Sequence, residues 1–365
     1  MKYVDEFRDG EIAGRLAERI ASRVGRDREY RFMEFCGGHT HAIFRYGLAD
    51  LLPASIRLVH GPGCPVCVLS AGRVDGAIAL AREKGVILAT YADMMRVPAS
   101  RGMSLYKARS EGADVRMVYS ATDALTIARE NPGKEVVFFA IGFETTTPPT
   151  ALALVQAKSE GLSNFSVYCN HVLTPPALQG ILDGGADIEG VIGPSHVSAV
   201  IGTGPYDFVS EEYGKPVVIS GFEPLDVMQA ILMLVEQVNS GKARVENEYS
   251  RAVEKEGNPR ARKLIEEVFD LRDTFEWRGL GWMERSARKI SGAYSDYDAE
   301  IRFETAVTSA EDHKACECGE ILRGKKRPEE CRVFGKACTP ENPLGSCMVS
   351  SEGACAAYYS YGRCR

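Results

Sequence analysis

The chain holds 365 residues, 45% hydrophobic and 26% charged, with a formal net charge of −6 and a pI near 5.7. That length suggests two or three domains with more than one core, and the acidic balance argues against nucleic acid as the main partner, which would need a basic face. No stretch approaches the roughly 18 apolar residues of a membrane span, and the charged, amphipathic start lacks the apolar run of a signal peptide, so a cytoplasmic protein without a membrane partner is expected.

Near the start, Ile12, Leu16, Ile20 and Val24 recur at every fourth position, the spacing of an amphipathic helix. Short apolar runs then alternate with helical stretches, at 30–35, 56–60, 86–90 and 115–119, and again at 136–141, 165–169, 188–192 and 217–220. Corresponding members of the two sets lie roughly 100 to 110 residues apart, as in an internal repeat. Strands alternating with helices imply parallel sheets. The expected fold is therefore α/β, with two similar four-strand parallel-sheet units related by duplication. From 239 to 273 the chain is charged and reads as helical, with Pro259 interrupting a helix or starting a new one. From Trp277 onward glycines, aromatics and cysteines dominate and periodicity fades. The expected domains are 30–131 and 132–238, the two α/β units, then 239–365, helical and loop-rich. The helix of 1–29 is expected to pack on that last domain.

Four constellations carry chemistry. The first is Phe35-Cys36-Gly37-Gly38-His39-Thr40-His41. It follows a strand, so Cys36 falls at the edge of the sheet where ligands bind in open α/β folds. A thiolate with an imidazole three residues on suits iron, copper or zinc, or a nucleophile with its base. The plainer reading is a buried cysteine beside a turn. The second is His60-Gly61-Pro62-Gly63-Cys64-Pro65-Val66-Cys67. Its Cys-x-x-Cys spacing brings two sulfurs within disulfide range and tunes their acidity, as in dithiol redox sites. A half zinc site or a structural disulfide would use the same spacing. The third is Gly142-Phe143-Glu144-Thr145-Thr146-Thr147-Pro148-Pro149, whose carboxylate and hydroxyls could position a small ligand or cap the helix starting near Pro149. Cys169-Asn170-His171 and Gly193-Pro194-Ser195-His196, also at strand ends, are further candidates.

The fourth constellation is the tail, which holds seven of the eleven cysteines. Cys318, Cys331, Cys338 and Cys355 are separated by 12, 6 and 16 residues, with Cys316, Cys347 and Cys364 as spares. Four thiolates in a loop-rich segment suit a cubane iron–sulfur cluster; structural zinc with three free cysteines is the competing reading.

Together the motifs FMEFCGGHTHAI, HGPGCPVC, IGFETTTPPTA, GPSHVSAVIG, FEPLD and the long tail from CGEILRGKKRPEEC to GACAAYYSYG resemble the HypD family of nickel–iron hydrogenase maturation proteins. The resemblance covers nearly the whole chain. It implies two similar α/β domains plus a cluster-bearing third. It also implies an assembly scaffold with redox activity, rather than an ordinary turnover enzyme, for the iron that carries two cyanides and one carbon monoxide. By resemblance the iron-site cysteine falls on Cys36 with His39 in support, the redox pair on Cys64 and Cys67, and the [4Fe–4S] ligands on Cys318, Cys331, Cys338 and Cys355. Glu144 and Thr145 would orient ligands and move protons. The implied partners are the small chaperone HypC, the cyanide donor HypE and, indirectly, the hydrogenase large subunit. Two rivals use the same residues: an iron–sulfur-dependent protein disulfide reductase, which leaves Cys36 and His39 without a task, and a zinc-stabilised scaffold.

Overall fold

All eight apolar runs are strands. The computed structural model describes residues 5–305, 310 and 312–362. In chain order the strands are β1 (Tyr30–Glu34), β2 (Ile56–His60), β3 (Val86–Thr90), β4 (Asp114–Met117), β5 (Glu135–Gly142), β6 (Phe165–His171), β7 (Gly190–Pro194) and β8 (Val217–Ser220). A ninth, β9 (Val245–Asn247), lies in the stretch expected to be helical. There Val245 pairs with Val217, so the segment extends the open edge of a sheet. The helix that follows, Pro259–Val268, does begin at its proline. It is capped by Asn258, whose side-chain oxygen accepts from the Arg260 and Ala261 amides.

The strands sort into two parallel sheets, ordered β2-β1-β7-β8-β9 and β4-β3-β5-β6. Both follow the same plan: the second strand of the unit sits outside the first, and the later strands continue on the other side. The two units are therefore alike in topology, as expected. Their boundaries are not those expected at 30–131 and 132–238, because the β3–β6 unit is inserted between β2 and β7 of the other. The strand–helix rhythm is the same whichever sheet a strand joins, so the offset of roughly 100 residues does not reflect pairing. β5 and β6 are buried along almost their whole length, as strands covered on both faces must be.

The opening helix, Gly10–Arg23, packs on the helix Pro224–Ser240 of the first sheet and not on the cysteine-rich segment. Ile20 enters the core that Val227, Ile231 and Val235 build against that sheet, and Arg19 reaches Glu236. The segment 239–365 is likewise not one body: β9 belongs to the first sheet, and the helix Pro259–Val268 lies on the helix Thr147–Glu160 of the second. After it come two short antiparallel pairs, Phe269–Leu271 with Arg288–Ile290 and Thr274–Trp277 with Gly281–Glu284. From about Cys316 the chain is loop-rich, as its fading periodicity implied. The largest core joins both sheets to this tail, bringing Met33, Phe35 and Val68 together with Trp277, Met348 and the tail cysteines. Among the described residues no helix is long and apolar enough to cross a membrane.

Candidate thiol and metal site

In a parallel sheet whose strand order reverses, a crevice opens beyond the carboxyl ends of the strands flanking the reversal. In the first sheet those strands are β1 and β7, and Cys36 and Ser195 follow them closely. Cys36 is the N-cap of the helix Gly37–Arg45. The Gly38 and His39 amides favour its thiolate, but burial first and the Glu352 carboxylate second push the thiol up. Lowering it takes a positive charge such as a metal ion.

Glycines let three other segments close on this turn. A Cβ on Gly63 would collide with the Cys36 backbone, one on Gly37 would meet Glu352, and one on Gly38 would lie 2.8 Å from Phe222. The dithiol loop, the tail and the loop after β8 thus all touch the Cys36 turn. His39 is fully buried. Its Nε2 lies 3.0 Å from the Ser220 carbonyl and 3.1 Å from that of Gly221, so Nε2 carries the proton and donates. Its Nδ1 is a lone pair without a partner among the described residues. Burial pushes its basicity down, so the ring is neutral. The Ser195 hydroxyl is also buried without a partner among the described residues, and His196 stands edge-on to Phe222, which also packs on His39.

Glu34 holds the turn from below. This fully buried carboxylate accepts from the Cys36 amide at 3.1 Å, from the Thr40 hydroxyl and from His60 Nδ1 at 2.5 Å. Sequence reasoning missed it, although a glutamate inside the run Tyr-Arg-Phe-Met-Glu-Phe was the available signal. Glu34→Ala leaves the half-buried Cys36 amide and two buried donors, Thr40 and His60, unpaired, the buried ones each costing about 1–3 kcal/mol. The expected loss is on the order of 3 kcal/mol or more, read as a lowered denaturation midpoint; an unchanged midpoint would show that the knot contributes nothing.

At the second sheet, Glu144 is buried and accepts from the Thr174 amide and hydroxyl, both at 2.9 Å. Burial pushes its acidity toward the protonated form. Thr145 is half-buried beside it. The helix here starts at Thr147, and no side chain caps it. The Thr146 and Thr147 hydroxyls instead donate back to the Phe143 carbonyl, tying the loop to β5. Tyr206, which sequence reasoning also missed, places its hydroxyl 3.4 Å from that of Ser198. It is fully buried, and burial holds its phenol protonated. The Cys169-Asn170-His171 triplet has structural partners: Cys169 donates to the Arg288 carbonyl, Asn170 accepts from Arg73, and His171 Nε2 lies 2.9 Å from the Thr150 hydroxyl.

Cys64 and Cys67 flank the start of a one-turn helix, Pro65–Val68, and both are buried. The sulfur of Cys67 contacts those of Cys347 and Cys64, and these contacts add to burial in pushing its thiol up. Cys347 in turn contacts Cys318 and Cys67, and these two donors favour its thiolate, lowering it below an ordinary cysteine. Cys318 also contacts Cys355 and lies 3.1 Å from Cys316. The sulfurs run in the order Cys64, Cys67, Cys347, Cys318. Ser346 locks the junction by donating to the Cys67 carbonyl at 2.7 Å. Cys347, a spare in the sequence reading, is thus the thiol that joins dithiol and tail. Cys364 lies outside the described residues.

Among the described residues no three His, Cys, Asp or Glu side chains already surround a common metal-ion position; the thiols pack on one another. The donor chemistry nevertheless fits an iron–sulfur cluster. Cys338 accepts from the Leu344 amide at 3.4 Å. It lies within electrostatic reach of Cys316 and Cys318. A tight turn, in which the Cys338 amide donates to the Val333 carbonyl and that of Phe334 to Cys331, folds Cys331 back toward it. Gly345 makes the room: a Cβ there would collide with the Cys316 sulfur and lie 2.6 Å from that of Cys318.

Two similar α/β units, carrying a helix-capping thiol and a dithiol and joined to a cysteine-rich lobe, define a two-unit α/β protein with a shared thiol centre. Residues 11–362 match the model of the HypD family, described as "Hydrogenase formation hypA family". The chain is 61% identical over 372 residues to hydrogenase maturation factor HypD2 of Bradyrhizobium diazoefficiens, covering 100% of this chain and 98% of that one. It is 60% identical over 370 residues to HypD of Cupriavidus necator (100% and 98%) and 46% identical over 369 to HypD of Escherichia coli (99% and 98%). The chain belongs to the HypD family of hydrogenase maturation factors.

Proposed function

We propose that the chain is the scaffold on which the Fe(CN)2CO group of nickel–iron hydrogenase is assembled in the cytoplasm, in complex with a HypC-type chaperone and with cyanide delivered from a HypE-type donor; the hydrogenase large subunit is the eventual recipient. The observation that carries this reading is the placement of Cys36, at the crevice of the first sheet and in contact with the dithiol loop. Iron is the cargo. Cys36 and a cysteine of the chaperone hold it, a thiolate pair that leaves positions open for cyanide and carbon monoxide. The free Nδ1 of His39 and the Ser195 hydroxyl face no polar partner among the described residues and are available to ligands there, with Glu144 and Thr145 on the side of the second unit.

The tail holds a [4Fe–4S] cluster, which when bound supplies electrons one at a time. The sulfur contacts are compatible with two ligand sets. Cys318 touches Cys347 on one side and Cys355 and Cys316 on the other, so two sets serve: Cys318 with Cys331, Cys338 and Cys355, or Cys316 in place of a Cys318 that resolves the thiol chain. In the chain's own chemistry the Cys347 thiolate attacks the sulfur of Cys67 in a Cys64–Cys67 disulfide and releases Cys64 as thiolate. With the second set, Cys318, deprotonated, then attacks Cys347 and releases Cys67. One disulfide has been reduced by two electrons and one, Cys318–Cys347, formed.

The test is anaerobic purification with a HypC-type partner, followed by iron and sulfide analysis and infrared spectra. Cyanide and carbonyl bands together with about four cluster irons are expected. Cluster without iron-bound cyanide would favour the disulfide-reductase reading, in which Cys36 has no task; a colourless protein with stoichiometric zinc would overturn both.

A further inference from the structure

A groove of about 870 Å³ opens against the tail. Its walls come from the 96–107 segment, from Arg278, and from tail residues 312–314 and 341–344. Arg96, Arg101, Lys107, Arg278 and Lys314 line it, and among the described residues Asp312 and Glu341 are the carboxylates facing them. This positive surface sits on a chain of net charge −6, so its sign is local and not a general property of the molecule.

The floor is Arg278, only 5% exposed. Its Nε donates to Asp312 at 2.7 Å and its Nη2 to the Pro98 carbonyl at 2.5 Å, but its Nη1 has no partner among the described residues. A buried guanidinium N–H without an acceptor is costly, and it leaves positive charge at the floor of the groove that Asp312 only partly offsets. At the rim, Arg101 and Lys314 are exposed, and Tyr106, 63% exposed, offers a rigid aromatic anchor. The groove also adjoins the thiols. The amide of its wall residue Leu344 donates to Cys338, the next residue is the Gly345 that abuts Cys316 and Cys318, and the Arg278 amide donates to the Val68 carbonyl beside Cys67.

We propose that this groove docks the acidic surface of a one-electron carrier protein, whose carboxylates pair with the exposed Arg101 and Lys314 at its rim. The proposal rests on the reading of the tail as a cluster site. A docked carrier gives up one electron and leaves oxidised. Two such visits, with two protons from solvent, convert one disulfide of the thiol chain to two thiols. Charge complementarity selects a protein surface of opposite sign, steers its approach and makes the encounter dependent on salt.

The probe is an acidic [2Fe–2S] ferredoxin, titrated against the full chain by calorimetry at low and at physiological ionic strength. Affinity in the unmodified chain is expected to fall as salt rises. The double variant Arg101→Glu, Lys314→Glu, altered only at exposed positions, is expected to bind about tenfold more weakly or worse. Its reduction by dithionite, a small reductant, should be unchanged. Affinity indifferent to salt or to both charge reversals overturns the proposal. So does pyrophosphate raising the melting temperature of the unmodified chain but not of the variant, since that marks a small-anion site. The titration needs no cluster. A colourless protein would therefore sink the cluster reading, whereas a brown one whose ferredoxin binding ignores Arg101 and Lys314 would sink the docking alone.

Discussion

Replacing Cys36 by alanine should erase the cyanide and carbonyl infrared bands of the chain co-purified with a HypC-type partner, while leaving the brown absorbance of the tail in place. The two outcomes separate because Cys36 belongs to the turn after β1, whereas the tail thiols meet the dithiol loop through Cys347 and Ser346. The cargo iron loses the chain's thiolate donor at the crevice, and the partner's cysteine alone is too weak a hold for a soft, ligand-bearing iron. Cys36→Ser should behave alike, because a serine hydroxyl is not ionised at neutral pH and is a poor match for such a metal. The substitution is structurally mild. Cys36 caps its helix through backbone position and not through a side-chain bond, so the melting temperature should move little. Infrared bands persisting at full strength in a folded Cys36→Ala protein would mean that iron is held elsewhere.

The contrast between what the residues announced and what they hid has a physical basis. Strand positions were legible because parallel strands buried on both faces read as short apolar runs: 56–60 and 86–90 coincide with β2 and β3 to the residue. The placing of Cys36 and Cys64 at strand ends followed from the same runs. Sheet membership was not legible, because pairing is a long-range property and β1 meets β7 across more than a hundred residues of inserted chain. Three-residue β9 is too short and too charged to show a period. The Glu34 knot depends on partners brought together by the fold, Thr40 and His60. The role of Cys347 was hidden for the same reason. Spacing within the tail can say which thiols could share a cluster, but only the fold can say that one of them lies against Cys67, some 280 positions earlier in a chain of 365.

That contact makes Cys347→Ser the sharpest test of the thiol chain. A serine keeps the size of the side chain and its place beside Cys67 but cannot form a mixed disulfide. In the unmodified protein the attacking sulfur is already in contact with its target, a near-attack arrangement whose effective concentration far exceeds that of any thiol in solution. Anaerobic reduction of protein whose Cys64 and Cys67 have been oxidised, followed by alkylation and mass spectrometry, reads the appearance of free thiols at those positions. The rate should fall by roughly a hundredfold or more in Cys347→Ser, with iron and sulfide content unchanged. Cys318→Ser separates the two roles open to that residue. As the resolving thiol, its loss should leave the brown cluster intact and trap a covalent link between residues 67 and 347, visible as a cross-linked peptide. As a cluster ligand, its loss should bleach the protein and trap nothing, and Cys316→Ser should then be the variant that keeps its colour. Cys318 touches Cys347 on one side and Cys355 on the other, and a sulfur that ligates iron is not free to open a disulfide as a thiolate, so the two outcomes exclude each other.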